Sequence, residues 1–338
     1  MKALVLGGSV FVGKRLVRAL AAGGHDVTVL NRGRTPAVWP GGVRHVPADR
    51  TDPASMRVAL AGTSWDAVYD VSGFVMAAGG SDIESLLELL EGRVGHYVYV
   101  SSIMAYDQSL VGVVPWTEDL PSNPDGPQSY GGFKAMVEAA LLRRHAAQGF
   151  PATIVRPAAI YGPDNNIYDM EAAMFLRLRQ HRPVLLPHGG LVSGSYGHVD
   201  DLCEWMVAVT GRKEALGEVI NITTDGVTSR RYVEVLSSVV GASPVLVELP
   251  DTEIVPGVFG HLFGWRHHAV LGIEKARSLG YAPRFDLRSG HADAYEWFLN
   301  QGYGDLDRPL NDPVWHSTWD FEAEARVAAA LVTVSVMT

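Results

Sequence analysis

Short apolar runs and amphipathic stretches take turns along the first half of the chain. Ala3–Leu6, Val27–Leu30, Arg44–Val46, Ala67–Asp70, Tyr97–Val100 and Ala152–Val155 read as strands, most of them apolar on both faces. Between them, Gly13–Ala22, Asp52–Leu60, Ile83–Leu90 and Ser129–Gln148 carry apolar residues at helical spacing. Strands buried on both faces and alternating with helices require a parallel sheet covered on both sides, and right-handed crossovers make it a doubly wound α/β fold.

The regularity loosens after Pro157, where Gly162, Pro163, Asn165 and Asn166 interrupt it. A helix is expected around Met170–Gln180, and another from His198 to about Thr210, with Asp200 as the expected cap. Val219–Thr223 and Val245–Leu249 read as strands; Ser229–Val240 and Ser289–Asn300 read as helices, and a last helical stretch lies near Glu322–Leu331. The pattern divides the chain into a main unit (residues 1–165 with 198–225), a smaller C-terminal α/β substrate domain (166–197 with 226–302) and an extension (303–338).

Composition narrows the function classes. A net charge of −9 is the wrong sign for holding a phosphate backbone, so nucleic acid is not an expected partner. The single cysteine, Cys203, allows no internal disulfide and reads as a core residue. No stretch reaches the ~18 apolar residues of a membrane span, and no signal-peptide pattern opens the chain, so a cytoplasmic location away from membranes is expected.

Gly7, Gly8 and Gly13 fall between the first strand and the first helix. A dinucleotide requires such a turn: a tight reversal, close backbone approach to the pyrophosphate, and free N–H groups at a helix start. Ser9, Phe11 and Val12 belong to the same turn, and the unit reads as a Rossmann dinucleotide-binding one. The second strand ends in Asn31-Arg32-Gly33-Arg34. An acid there would hold the adenosine ribose, whereas arginine pairs with a 2′-phosphate, which tilts the cofactor from NAD toward NADP.

The long helix opens Tyr130-Gly131-Gly132-Phe133-Lys134, with the tyrosine and lysine on one face. A lysine ammonium is expected to lower the tyrosine pKa, so that Tyr130 exchanges a proton with a substrate oxygen while hydride moves between carbon and cofactor. Ser101-Ser102 ends the preceding strand, where a hydroxyl can bind the reacting oxygen. The expected catalytic set is Ser102, Tyr130 and Lys134.

These motifs resemble the extended (or atypical) short-chain dehydrogenase/reductase family of NAD-dependent epimerase/dehydratase type. The likeness runs from Met1 to about Asn300. It is carried by GGSVFVG (7–13), Asp49 in PADR, DVSG (70–73), YVSSIMAY (99–106), YGGFK (130–134), RPAAIYGP (156–163), HVDDL (198–202) and KARSLGYAPR (275–284). By that resemblance Ser102, Tyr130 and Lys134 are catalytic. Gly7, Gly13, Asn31, Asp49, Gly73 and Pro157 line the cofactor; Gly8, Ser9, Phe11, Val12, Arg32, Arg50, Ser72 and Lys134 complete that set. The resemblance also implies a homodimer built on the helices near Ile83–Leu90 and Ser129–Gln148.

The departures redirect the substrate. Val10 stands where the family usually has glycine; a subgroup with a GGTRFVG-like turn has arginine there and is otherwise most similar. Nucleotide-sugar epimerases carry asparagine where this chain has Ala158 and a diphosphate-clamping arginine where it has Gly194. Dehydratases follow the catalytic hydroxyl with Asp-Glu, whereas Ile103-Met104 follow Ser102 here. The expected substrate is therefore a small sugar-like or secondary-metabolite alcohol or ketone, oxidised, reduced or inverted at one carbon. A redox-neutral nucleotide-sugar epimerase and an RNA-binding scaffold of the same fold, as in chloroplast stem-loop binding proteins, are the alternatives. No metal site is expected: His261, His267 and His268 lack partnering ligands at suitable spacing. The Pro-rich segment 107–128 reads equally as a cover for the substrate or as a stiff surface loop.

Overall fold

The computed structural model describes residues 1–72, 81–165, 170–249, 266–305 and 321–337; Gly73, Asn166 and His261 lie outside them. In chain order the first elements are β1 (Lys2–Leu6), α1 (Phe11–Ala22), β2 (Asp26–Asn31), β3 (Arg44–Pro47), α2 (Pro53–Ala59), β4 (Ala67–Asp70), α3 (Ser81–Leu90), β5 (Tyr97–Val100), α4 (Tyr130–Gln148) and β6 (Ala152–Pro157). Then follow β7 (Ala159–Tyr161), α5 (Glu171–Arg179), β8 (Pro183–Leu186), β9 (Ser193–His198), α6 (Val199–Val209), β10 (Val219–Ile222), β11 (Asp225–Thr228) and α7 (Ser229–Val240). The last are β12 (Val245–Glu248), α8 (Glu274–Ser278), α9 (Leu287–Asn300) and α10 (Phe321–Met337).

Seven strands form one parallel sheet in the order β10-β6-β5-β4-β1-β2-β3. Successive strand residues supply opposite cores. Ala3, Val5, Val27, Val29 and Val98 pack with Leu16, Val17 and Leu20 of α1 and Leu202 and Met206 of α6. Leu4, Leu6, Val68, Tyr97 and Tyr99 pack with Leu86, Leu87 and Leu90 of α3 and Phe133, Val137 and Leu141 of α4. Burial on both faces explains the unbroken apolar runs and makes this a doubly wound Rossmann fold.

The polar strands went unread in the sequence. β9, with the sequence SGSYGH, pairs parallel with β7 and antiparallel with β11, and β8 pairs parallel with β12. A separate core joins Met174, Phe175 and Leu178 of α5, Tyr232, Val233 and Leu236 of α7, and Phe298 of α9. α10 is longer than the sequence pattern suggested. It docks through a buried bidentate pair, Arg177 with Glu324, and through Phe321 beneath the Arg177 and Arg182 guanidiniums.

Gly13 sits where α1 crosses the turn after β1, and a Cβ there would lie 2.6 Å from the Gly8 nitrogen and 2.9 Å from its Cα. Both are backbone atoms that cannot swing aside. Gly13→Ala should therefore cost about 2 kcal/mol or more despite the better helix former, read as a lower urea midpoint; unchanged stability would contradict the close packing. Glu324→Ala leaves the Arg177 charge buried without its carboxylate and should cost about 3 kcal/mol in the same measurement.

Candidate active site

Strand order reverses between β1 and β4, and ligands of open α/β sheets bind at the carboxyl ends of the strands beside such a reversal. Those ends carry the glycine turn after β1, Val71-Ser72 after β4 and Ser101-Ser102 after β5. Gly7 (φ 116°) and Gly8 (φ 86°) adopt conformations that side-chain-bearing residues rarely take. A Cβ on Gly7 would meet Val71 Cγ2 at 3.1 Å, closing the turn against the strand across the crevice. Val10 flanks the start of α1 without a side-chain cap and the first turn holds no acid, so that helix end keeps its positive character. Phe11 takes φ 37°, a strained value held by the burial of its ring. Val12 directs its carbonyl to the buried Cys203, whose Sγ donates at 3.5 Å. These features fit a dinucleotide pyrophosphate.

At the end of β2, Asn31 is tied into the glycine turn. Asn31 Nδ2 donates to Gly7 O at 2.7 Å and Ser9 Oγ at 3.0 Å, while its Oδ1 accepts from Gly33 N at 2.8 Å and faces His45 Nε2 at 3.1 Å. Both ends of the carboxamide are engaged, so Asn31 braces the glycine turn. Trp39 strengthens the same corner by donating from its indole to Gly8 O at 2.7 Å. Arg32 and Arg34 are exposed. Thr51 hydrogen bonds hold Asp49 below the usual carboxylate range, and the charges of Arg32 and Arg34 add to this.

Ser102, Tyr130 and Lys134 come together at the end of β5. Ser129 caps α4 by accepting from Gly132 N at 3.0 Å, which starts the helix at Tyr130. Gly131 and Gly132 permit its approach: added Cβ atoms would lie 2.1 Å from Met104 O and 2.0 Å from Gly126 O. The Ser102 hydroxyl accepts from Met104 N at 3.1 Å and is hydrogen-bonded with the Tyr130 phenol. Lys134 is 2% exposed; its Nζ donates to Val100 O at 2.7 Å and lies 4.8 Å from the Tyr99 ring centroid and 5.7 Å from that of Tyr130. Ser101 faces away, its hydroxyl donating to the buried Glu138, which forms a bidentate pair with Arg156.

The protonation states correct the sequence expectation. Burial pushes the Tyr130 phenol up to about 12, with the Ser102 hydrogen bond working against it. Burial likewise pushes Lys134 down to about 8, opposed by Asp70, reinforced by Arg50 and opposed again by Glu138. The Tyr130 shift is thus upward, opposite to the lowering expected from the neighbouring lysine.

Pro157 is buried at the end of β6 beside Ile222. Arg50 is engaged with Asp70 and the Ser72 hydroxyl, and Ser72 donates to Asp70 at 2.8 Å. Ala158 lies in an apolar cluster with Ile103, Tyr106, Trp116 and Leu271. Trp116 anchors the 107–128 segment: it is fully buried, with its backbone tied to Val270 O at 2.7 Å and Gly272 N at 2.9 Å. A second correction concerns α6. Its cap is His198, whose Nδ1 accepts from Asp200 N at 3.2 Å, while Asp200 pairs with Arg15. Among the described residues His198, Asp200 and Asp293 come close enough to share a cation. With Nδ1 engaged in that cap, His198 Nε2 lies 3.2 Å from Asp293 Oδ2.

The comparisons with known proteins come from three directions. The chain is 30% identical over 323 residues to the chloroplast stem-loop binding protein of 41 kDa b of Arabidopsis thaliana, covering 89% of this chain and 80% of the relative. It is also 30% identical to 2'-dehydrokanamycin reductase of Streptomyces kanamyceticus, over 66% of this chain and 62% of the reductase. A dTDP-glucose 4,6-dehydratase of Streptomyces venezuelae, solved with NAD bound, shares the fold with a TM-score of 0.73 at 24% identity, covering 90% of this chain and 98% of that one. Residues 3–223 match the family model of the NAD dependent epimerase/dehydratase family, more than half of the chain, and the protein belongs to that family.

Proposed function

We propose that this protein is an NAD(P)-dependent oxidoreductase of short-chain dehydrogenase/reductase type. In this reading it transfers hydride at a carbinol or ketone carbon of a small sugar-like or secondary-metabolite substrate. The observation that carries the reading is the meeting of Ser102, Tyr130 and Lys134 beside the glycine turn. In this account Gly7, Gly8, Ser9, Phe11, Val12 and Gly13 cradle the pyrophosphate, Arg32 and Asp49 flank the adenosine, and Ser72, Pro157 and Lys134 face the nicotinamide half. Bound there, the nicotinamide supplies or accepts the hydride.

The chain's own residues do the rest. Ser102 holds the carbonyl oxygen, and Tyr130 donates its proton to that oxygen as negative charge develops. Lys134, as an ammonium, then stabilises the phenolate left behind. Ala158 and Gly194 leave the nucleotide-sugar contacts unmade, and Ile103-Met104 offer neither acid nor base for elimination. Net ketone reduction therefore leads, with inversion of a carbinol centre as the redox-neutral form of the same chemistry. A two-copy assembly through α3 and α4, a cytoplasmic location and a substrate domain beyond β6 belong to the same reading.

A second reading, RNA retention, is favoured by the likeness to the stem-loop binding protein. The net charge of −9 weighs against it. Filter binding of a stem-loop RNA at physiological salt separates the two: retention without any cofactor binding supports the scaffold, and no retention supports the enzyme.

Tyr130→Phe should preserve the fold and cofactor affinity while lowering turnover about 100-fold or more; full activity would remove Tyr130 as proton carrier. Arg32→Ala should weaken NADP binding about tenfold while leaving NAD nearly unchanged, read by calorimetry. Equal losses would remove the basis for an NADP preference.

A further inference from the structure

Asn31 ends β2, where a ribose reader of a dinucleotide fold would stand. A carboxamide carries two N–H groups and two lone pairs. Here Nδ2 donates to Gly7 O at 2.7 Å and to Ser9 Oγ at 3.0 Å. Oδ1 accepts from Gly33 N at 2.8 Å and lies 3.1 Å from Nε2 of His45 on β3. An amide oxygen only accepts, so the imidazole is the donor of that contact. Every capacity of the side chain is spent inside the protein.

The partners also dictate the residue type. Gly7 O needs a donor and Gly33 N needs an acceptor, and one side chain supplies both. An aspartate would satisfy Gly33 N but would set a carboxylate oxygen against the Gly7 carbonyl. Trp39, in the loop between β2 and β3, makes the companion contact. Its indole donates to Gly8 O at 2.7 Å, and its ring centroid lies 5.2 Å from that of His45. In a planar trans peptide the carbonyl and the N–H that follows it point to opposite sides. Tying Gly7 O to Asn31 and Gly8 O to Trp39 therefore turns the N–H groups of Gly8 and Ser9 away from these braces.

We propose that Asn31 and Trp39 are positioning residues that set the peptide planes of the pyrophosphate turn, and that Asn31 takes no part in reading the ribose. The end of β2 then sets affinity for both forms of the dinucleotide alike, and the choice between a 2′-hydroxyl and a 2′-phosphate falls to groups that follow it. This rests on the reading of the turn as a dinucleotide site, and it departs from the cofactor-lining role that the resemblance gives Asn31.

The test measures binding of ADP-ribose and of its 2′-phosphorylated form by calorimetry, so that neither a nicotinamide nor turnover is involved. Asn31→Asp should weaken both probes about tenfold and keep their affinity ratio within about threefold of the wild type. A ribose reader behaves otherwise: the new carboxylate would hold the ribose hydroxyls and repel the 2′-phosphate. A ratio moved beyond about threefold in favour of ADP-ribose overturns the proposal. Trp39→Phe keeps an aromatic ring and removes the N–H; it should weaken both probes about fivefold at an unchanged urea midpoint. Unchanged affinity in that variant, or a loss confined to one probe, refutes the brace. If Asn31→Asp does not fold, Trp39→Phe decides alone by the same criteria. A wild type that binds neither probe overturns this proposal and the dinucleotide reading together. The expected pattern in a protein whose Tyr130→Phe variant stays fully active would support the brace and remove only the assigned proton chemistry.

Discussion

Burying a lysine ammonium is costly, and this structure arranges several strands around one. Lys134 reaches its position because glycines at 131 and 132 let α4 press onto the backbone of residues 104 and 126. It is held there by the Val100 carbonyl and lies against the rings of Tyr99 and Tyr130. Tyr130 and Ser102 occupy the same corner because their positions follow from the same helix start and the same strand end.

The parallel sheet places that corner, at the end of β5, on the same sheet edge as the glycine turn after β1, with the end of β4 between them. Gly13 packs on Gly8, Gly7 closes against Val71, and Asn31 and Trp39 hold the turn from the other side. The crevice is thus walled by backbone and by hydrogen-bonded braces. Ala158 and Ile103, by contrast, belong to an apolar cluster with Trp116.

Most of the parallel sheet was legible in the sequence, because strands buried on both faces leave unbroken apolar runs and their helices leave clear periodicity. β9 and β11 were not: SGSYGH carries glycine and serine buried by neighbours far along the chain, and DGVT is a short, partly exposed strand without apolar alternation. In the site, Ser102, Tyr130 and Lys134 could be found from spacing, and their meeting follows from topology. The protonation state of Tyr130 could not, because it depends on how completely the phenol is desolvated. The brace at Asn31 and the link from Arg50 to Asp70 were also hidden: each joins segments from different strands, and no local pattern marks the pairing. His198 displaced Asp200 as the cap of α6 because Arg15 claims the aspartate.

The central claim is that a nicotinamide cofactor rests against Lys134 and Tyr130. Titration with NADPH, followed by the emission of its nicotinamide, tests this most directly. The account predicts saturable binding of one molecule per chain, with the emission change abolished in Lys134→Ala. No binding at about 1 mM cofactor, or an identical signal from the Lys134→Ala protein, would contradict it.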